Sequence, residues 1–246
     1  MAYAQAPIEC DMYLQLPDGI ETESGNIRTH VLKLLQNVYV QKQTGKVWAD
    51  FLSESLFNIG FEGSHIDECV SYRGNLAFLV YIDYGIFDSL DGTSIGSVIK
   101  ELKYPKIKLE EQGHPDDYVG VNTKKQGEGS YEFTQPTLTQ KIIEDVRLGP
   151  RTTPKPIPMC AQRLLRHHLD SPPYNKSKIQ YRSVIGNLNY LAQCTQPDIV
   201  YAVHQCERFS SNPHKEHTNA VEYIDCYLKG TSDLGLSFKP DISKSF

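Results

Sequence analysis

Leu76-Ala77-Phe78-Leu79-Val80-Tyr81-Ile82-Asp83-Tyr84-Gly85-Ile86-Phe87-Asp88 is the stretch that decides how this chain folds. One apolar run enters a short tip and a second leaves it, the pattern of a β-hairpin. Residues 76–80 are apolar at every position, which predicts a central strand buried on both faces. Gly85 tolerates the positive φ of a tight turn and is expected to be where the chain reverses. Just upstream, Cys69-Val70-Ser71-Tyr72 and the turn Arg73-Gly74-Asn75 supply an antiparallel neighbour.

Helical patterns flank the hairpin. Val47, Trp48, Phe51, Leu52, Leu56 and Ile59 recur at helical spacing over 44–60, and Gly60 suits the residue after the last turn. Trp48 resembles a base-stacking platform only in isolation; its spacing with Phe51 and Leu52 assigns it to the core. Ile95, Val98, Ile99 and Leu102 mark a second helix over 93–103. Further on, 117–122 and 130–133 read as a strand pair joined through loop 123–129. Pro136 can open a helix at its first position, with Leu138, Ile142, Ile143 and Val146 on its apolar side. Residues 149–158 contain four prolines and read as a semi-rigid linker, and irregular chain is expected to about 177. Three helices are predicted after it, over 179–194, 197–210 and 214–229.

At 246 residues and 39% hydrophobic content, the chain can bury a real core. No apolar run approaches the roughly 20 residues of a membrane span. The N-terminus has no basic, apolar signal pattern, so an intracellular place, cytoplasmic or nuclear, is the default. The six cysteines form no C-x-x-C pair, and buried free thiols are expected. His214 and His217, with His204 and Cys206, match no established zinc spacing. A net charge of −5 disfavours strong nucleic-acid binding, though a local basic groove remains compatible with it. Acidic residues crowd the start, at Glu9, Asp11, Asp18, Glu21 and Glu23 against Arg28.

The order of several short segments carries a resemblance. These are Ala4-Gln5-Ala6-Pro7-Ile8-Glu9-Cys10-Asp11-Met12-Tyr13 with Leu16-Pro17-Asp18-Gly19; Leu32 to Tyr39, continuing into Gln41-Lys42-Gln43 and Val47-Trp48; Tyr81-Ile82-Asp83; and Asp117-Tyr118-Val119-Gly120-Val121. Tyr181 to Gly186, Leu188 to Leu191, Pro197-Asp198-Ile199 and Tyr227 to Thr231 follow. Together they resemble the reverse transcriptase of copia-type retrotransposons over nearly the whole chain.

That resemblance implies a mixed α/β (α+β) fold. A palm-like antiparallel sheet backed by helices would occupy 1–148, incomplete at its start. A proline linker (149–177) and a helical thumb or connection segment (178–246), leading toward an RNase H domain beyond Phe246, would follow. It implies a Mg²⁺ site at the hairpin, with Asp83 as a ligand. Gln41, Lys42, Gln43, Tyr81, Tyr118 and Gly120 would contact nucleotide or nucleic acid, with an RNA/DNA primer–template as partner. Lys42 and Gln43 read equally as exposed polar residues before a helix.

The departures bear on activity. Polymerases hold two Mg²⁺ about 3.5–4 Å apart on hard oxygen ligands. The family has a second hairpin aspartate where this chain has Tyr84, and a phenol titrating near pH 10 is a poor substitute. Another family aspartate lies before the segment where this chain starts. Val40 stands where the family has glycine. Of three expected carboxylates Asp83 alone remains, so the expectation is an inactive polymerase remnant. The alternatives are a nucleic-acid-binding module without catalysis, or a pseudogene product with no selected role.

Overall fold

Residues 76–88 do form a hairpin, and it is the centre of an antiparallel sheet. The computed structural model describes residues 2–8, 10–17, 19, 30–39, 41–89, 93–103, 107–146, 152–159 and 179–239. The chain divides into two units, 1–113 and 114–245. Glu9, Asp18, Glu21, Glu23, Arg28, Val40, Cys160, positions 149–151 of the proline stretch and the 160–178 region lie outside the described residues.

In the first unit, β1 (Tyr13–Gln15) and β2 (Val31–Lys33) make a two-stranded ribbon in which Leu14 faces Leu32. Helix α1 (Thr44–Asn58) follows, and Gly60 beyond it takes φ +86. Strands β3 (Glu62–Gly63), β4 (Val70–Arg73), β5 (Leu76–Tyr81) and β6 (Tyr84–Ser89) form one sheet in that order. Helix α2 (Thr93–Lys103) completes the unit.

Strand β5 is central, as its apolar run predicts, but it is buried on one face only. Leu76 and Phe78 point into a core with Trp48, Leu52, Leu56, Phe61, Val98 and Leu102. On the other face Leu79 and Tyr81 are exposed, as are Tyr72 and Tyr84 on the neighbouring strands. Among the described residues that face stays open, so the period of two reasserts itself despite the uniform apolar sequence.

The reversal is not at Gly85. Tyr81 pairs with Tyr84, leaving Ile82 and Asp83 as a two-residue turn, and Ile82 carries φ +52. Gly85 lies inside β6 opposite Val80. Its missing side chain serves packing: a Cβ there would come within 2.7 Å of the Phe78 ring. That ring lies tilted against Phe87, with centroids 4.4 Å apart.

The second unit has its own sheet and its own core. β7 (Asp117–Tyr118) and β8 (Val121–Lys125) turn at Val119-Gly120, and β9 (Tyr131–Thr134) pairs with β8. Residues 123–125, expected in a loop, are therefore strand. β10 (Leu236–Phe238) closes the sheet against β9. Helix α3 (Pro136–Val146) begins at its proline, as expected. Helices α4 (Tyr181–Cys194), α5 (Val200–Glu207) and α6 (Lys215–Leu228) follow, with Pro197–Ile199 as a single 3-10 turn. Ile142 and Val146 of α3 share one core with Leu188, Leu191, Ile199, Val203, Val221, Ile224 and Leu228.

The described part of the proline stretch, 152–159, is packed chain in this unit. The Lys155 N–H donates to Cys226 O at 3.1 Å, and Pro154 lies 3.0 Å from where a Gly230 Cβ would be. The division at 113/114 therefore differs from one placed at 148/149, because α3 buries its apolar side against α4 and α6. The thiols also depart from expectation: Cys206 and Cys226 are buried, Cys194 is half-buried, and Cys10 and Cys69 are exposed. Among the described residues no helix is long and apolar enough to cross a membrane.

Candidate functional site

The hairpin tip is built from four pieces of the first unit. Trp48, on the core face of α1, donates its indole N–H to Ile82 O at 3.2 Å. That contact fixes the first turn residue in a backbone region a β-branched side chain rarely adopts. Asp83, the second turn residue, projects toward Tyr39 and Ala2. The Tyr39 hydroxyl lies 2.6 Å from Asp83 Oδ1 and 2.8 Å from Oδ2. The Ala2 backbone N–H donates to Asp83 Oδ1 as well, and lies 3.1 Å from the Tyr39 oxygen.

Tyr39 is held in place from several sides. Its ring stacks on Tyr3 with centroids 4.5 Å apart. Buried Asn37, two residues earlier, donates its amide to Ala6 O (3.1 Å) and Pro7 O (2.8 Å). Thr44, at the start of α1, donates to Val38 O at 3.2 Å. Gln5 fastens the same segment to Lys108, whose N–H donates to Gln5 Oε1 at 2.6 Å.

These contacts set the local electrostatics. Burial works to raise the Asp83 carboxyl, but donation from Tyr39 and Ala2 outweighs it and holds the group below its ordinary value. Partial burial pushes the Tyr39 phenol up, and its donation to Asp83 adds to the rise.

The expected contact residues are dispersed. Gln41 and Gln43 meet at Met12, their amides donating to its sulfur at 3.7 and 3.4 Å. Gln41 Oε1 also accepts from the Thr44 hydroxyl at 2.8 Å. Lys42 is exposed between them. Tyr81 and Tyr84 face each other across the strands on the open side of the sheet, each more than half exposed. Tyr118 and Gly120 belong to the second unit. There the Asp117 carboxylate accepts from Gly120 N–H at 3.1 Å, the Gln135 amide donates to Gly120 O at 3.2 Å, and the Tyr190 hydroxyl donates to Val119 O.

Mg²⁺ needs several hard oxygen ligands converging in an octahedron. Among the described residues no three His, Cys, Asp or Glu side chains converge as a metal site. Asp83 contributes one carboxylate, and the Tyr39 hydroxyl lies within hydrogen-bonding distance of both of its oxygens. The described residues do not bring together the carboxylates that a two-metal site requires. The histidines of the second unit are likewise engaged: His217 Nδ1 accepts from His214 N–H at 2.8 Å, and its ring stacks on Phe209 at 3.9 Å.

Sequence reasoning missed Tyr39 and Ala2. Tyr39 lies 44 residues from Asp83, and no periodicity in a single sequence links them. It also missed Asp225. That carboxylate is buried in α6, neither oxygen has a hydrogen bond, and the nearest cation is Lys229 Nζ at 4.0 Å. Burial raises it to about 7, with Lys229 opposing and Glu222 adding to the rise.

A family profile described as "Reverse transcriptase (RNA-dependent DNA polymerase)" matches residues 1–161. The chain belongs to the reverse transcriptase family. It is 30% identical to the retrovirus-related Pol polyprotein from transposon RE1 of Arabidopsis thaliana, over 97% of this chain and 16% of that protein. Identity is 24% to the corresponding polyprotein from transposon TNT 1-94 of Nicotiana tabacum, over 96% of this chain and 18% of that one. A transposon Ty5-1 protein of Saccharomyces cerevisiae is 22% identical over 97% of this chain and 77% of its own length. The chain thus spans less than a fifth of the plant polyproteins it matches. No solved structure matches it. The copia-type resemblance extends across both units of the chain.

Proposed function

We propose that this chain is a remnant of a copia-type RNA-directed DNA polymerase that no longer synthesises DNA. The observation carrying this reading is the hairpin tip. Tyr84 occupies the position of the second metal-binding aspartate, and the carboxylate that remains, Asp83, accepts from Tyr39 and Ala2. In this reading the first unit is the palm-like part and the helices of the second are thumb or connection. Mg²⁺ belonged to the ancestral enzyme and is not bound productively here. The compartment is intracellular.

The test is primer extension on an RNA template with Mg²⁺ or Mn²⁺. No extension is expected, and Tyr84→Asp alone is expected not to restore it. Extension by the unaltered chain that Asp83→Ala abolishes would overturn the proposal.

A second reading is retained nucleic-acid binding without catalysis. The exposed tyrosines on the open sheet face favour it, since aromatic side chains stack on bases regardless of sequence. With a net charge of −5, binding to a primer–template would be weak and would fall as salt rises. Filter binding at low salt measures it, and no retention would remove this reading.

A further inference from the structure

We infer that the Tyr39 hydroxyl and the Ala2 amide have taken over the Asp83 carboxylate, so that a position suited to a cation is now a hydrogen-bonded joint tying the hairpin tip to residues 2–39. The inference rests on reading Asp83 as the remaining carboxylate of the polymerase site.

The geometry is that of a closed contact. A carboxylate has acceptor sites on two oxygens, and a phenol has one hydrogen to give. The Tyr39 oxygen stands within hydrogen-bonding distance of both carboxylate oxygens, 2.6 and 2.8 Å away, so it lies astride the group. A Mg²⁺ ion would need those lone pairs at about 2.0–2.1 Å. It would meet the phenol oxygen on the same approach. Ala2 adds a second donor to Oδ1, and its N–H is also within reach of the Tyr39 oxygen. Donors to a charged acceptor are among the stronger hydrogen bonds. They supply from within the chain the compensation a cation would otherwise give.

The joint has a mechanical role as well. Ile82 is held at positive φ, which costs free energy in a β-branched residue. Trp48 pins the tip through Ile82 O from the α1 side, and Tyr39 with Ala2 pins it through Asp83. The Tyr39 ring is itself braced by Tyr3, and its backbone neighbourhood by Asn37. The strained turn is thus clamped at both of its residues.

A double-mutant cycle in urea tests the joint, using the chain's one tryptophan, Trp48, as a fluorescent reporter at the tip. Tyr39→Phe and Asp83→Ala should each lower the unfolding midpoint. The double variant should lower it no further than the more damaging single one. Millimolar MgCl₂ should leave the unaltered midpoint unmoved. Additive losses, or no loss in Tyr39→Phe, would overturn the inference. So would a Mg²⁺-dependent rise in the midpoint that Asp83→Ala abolishes. If Asp83→Ala does not fold, Tyr39→Phe read alone against the unaltered chain still decides the point. Primer extension is scored separately and bears on the functional proposal, not on this cycle.

Discussion

Asp83 in the first unit and Asp225 in the second are solved in opposite ways. Asp83 sits at an exposed hairpin tip and has a phenol and a backbone amide donating to it. Asp225 is closed inside α6 and has no hydrogen bond to either oxygen. The first is held below its usual range by its donors, and the second is raised to about 7 by burial. Position in the sequence pattern singles out Asp83 for chemistry. The physical cost falls on Asp225, since burying a carboxylate without donors is expensive and the group responds by staying protonated. A turn carboxylate supplied with donors can serve as a stabilising contact, while a carboxylate closed inside a helix without them carries the penalty.

The largest expected effect comes from relieving that penalty. Asp225 titrates from 3.8 in ordinary surroundings to about 7 in the fold. Its contribution is therefore fully favourable below the unfolded value and is lost as pH rises toward the folded one. Three pH units correspond to a ceiling of about 4 kcal/mol. Asp225→Leu should stabilise the second unit by up to that amount at about pH 8. Below about pH 4 the gain should shrink to the packing change and the smaller cost of burying the neutral carboxyl. Urea unfolding at several pH values checks it, and a gain independent of pH would break the contrast with Asp83.

A smaller effect probes the strand that follows the turn carrying the other acid. Gly85→Ala would drive a Cβ to 2.7 Å from the Phe78 ring. Overpacking of this kind costs about 1–3 kcal/mol. An unchanged midpoint in thermal unfolding would show that the ring can move aside.

Asp83→Ala should cost less, about 1 kcal/mol, because an exposed pair is screened by water. Its pH dependence has the opposite sign to that of Asp225. A carboxyl held below its unfolded value contributes above that value and loses the contribution as pH falls through the folded one. The loss on substitution should therefore fade in acid, where the Asp225→Leu gain also disappears. The two profiles then converge at low pH and diverge at neutrality.

The smallest effect compares the turns. Val119 has φ +53 and precedes Gly120 at φ +76, a geometry that favours Asn-Gly. Val119→Asn should stabilise the second unit by about 0.5–1 kcal/mol. A loss on thermal unfolding would mean that the Tyr190 contact to Val119 O depends on the valine.

Helices α1, α2 and α3 were legible because their apolar residues repeat at helical spacing beside clear punctuation at Gly60 and Pro136. The hairpin was legible as a hairpin, but its turn was not. Glycine is the usual mark of a reversal, and here it marks the close approach of a phenylalanine ring. One-sided burial of β5 was hidden by a uniformly apolar sequence. The Asp83 joint was hidden by distance along the chain, since its partners come from residues 2 and 39. Asp225 was hidden because it flanks the apolar stripe of Val221, Ile224 and Leu228. Only the tertiary structure closes that half of α6 on all sides.

Sharing of the second core has a practical edge. The family match stops at residue 161, yet Ile142 and Val146 of α3 bury themselves among α4 and α6, which lie beyond it. Cutting a gene at the end of that profile match would leave the apolar helix bare and β9 without its β10 neighbour. Such a fragment would be expected to collect in inclusion bodies, whereas one ending after Phe238 would keep the sheet and the helices together.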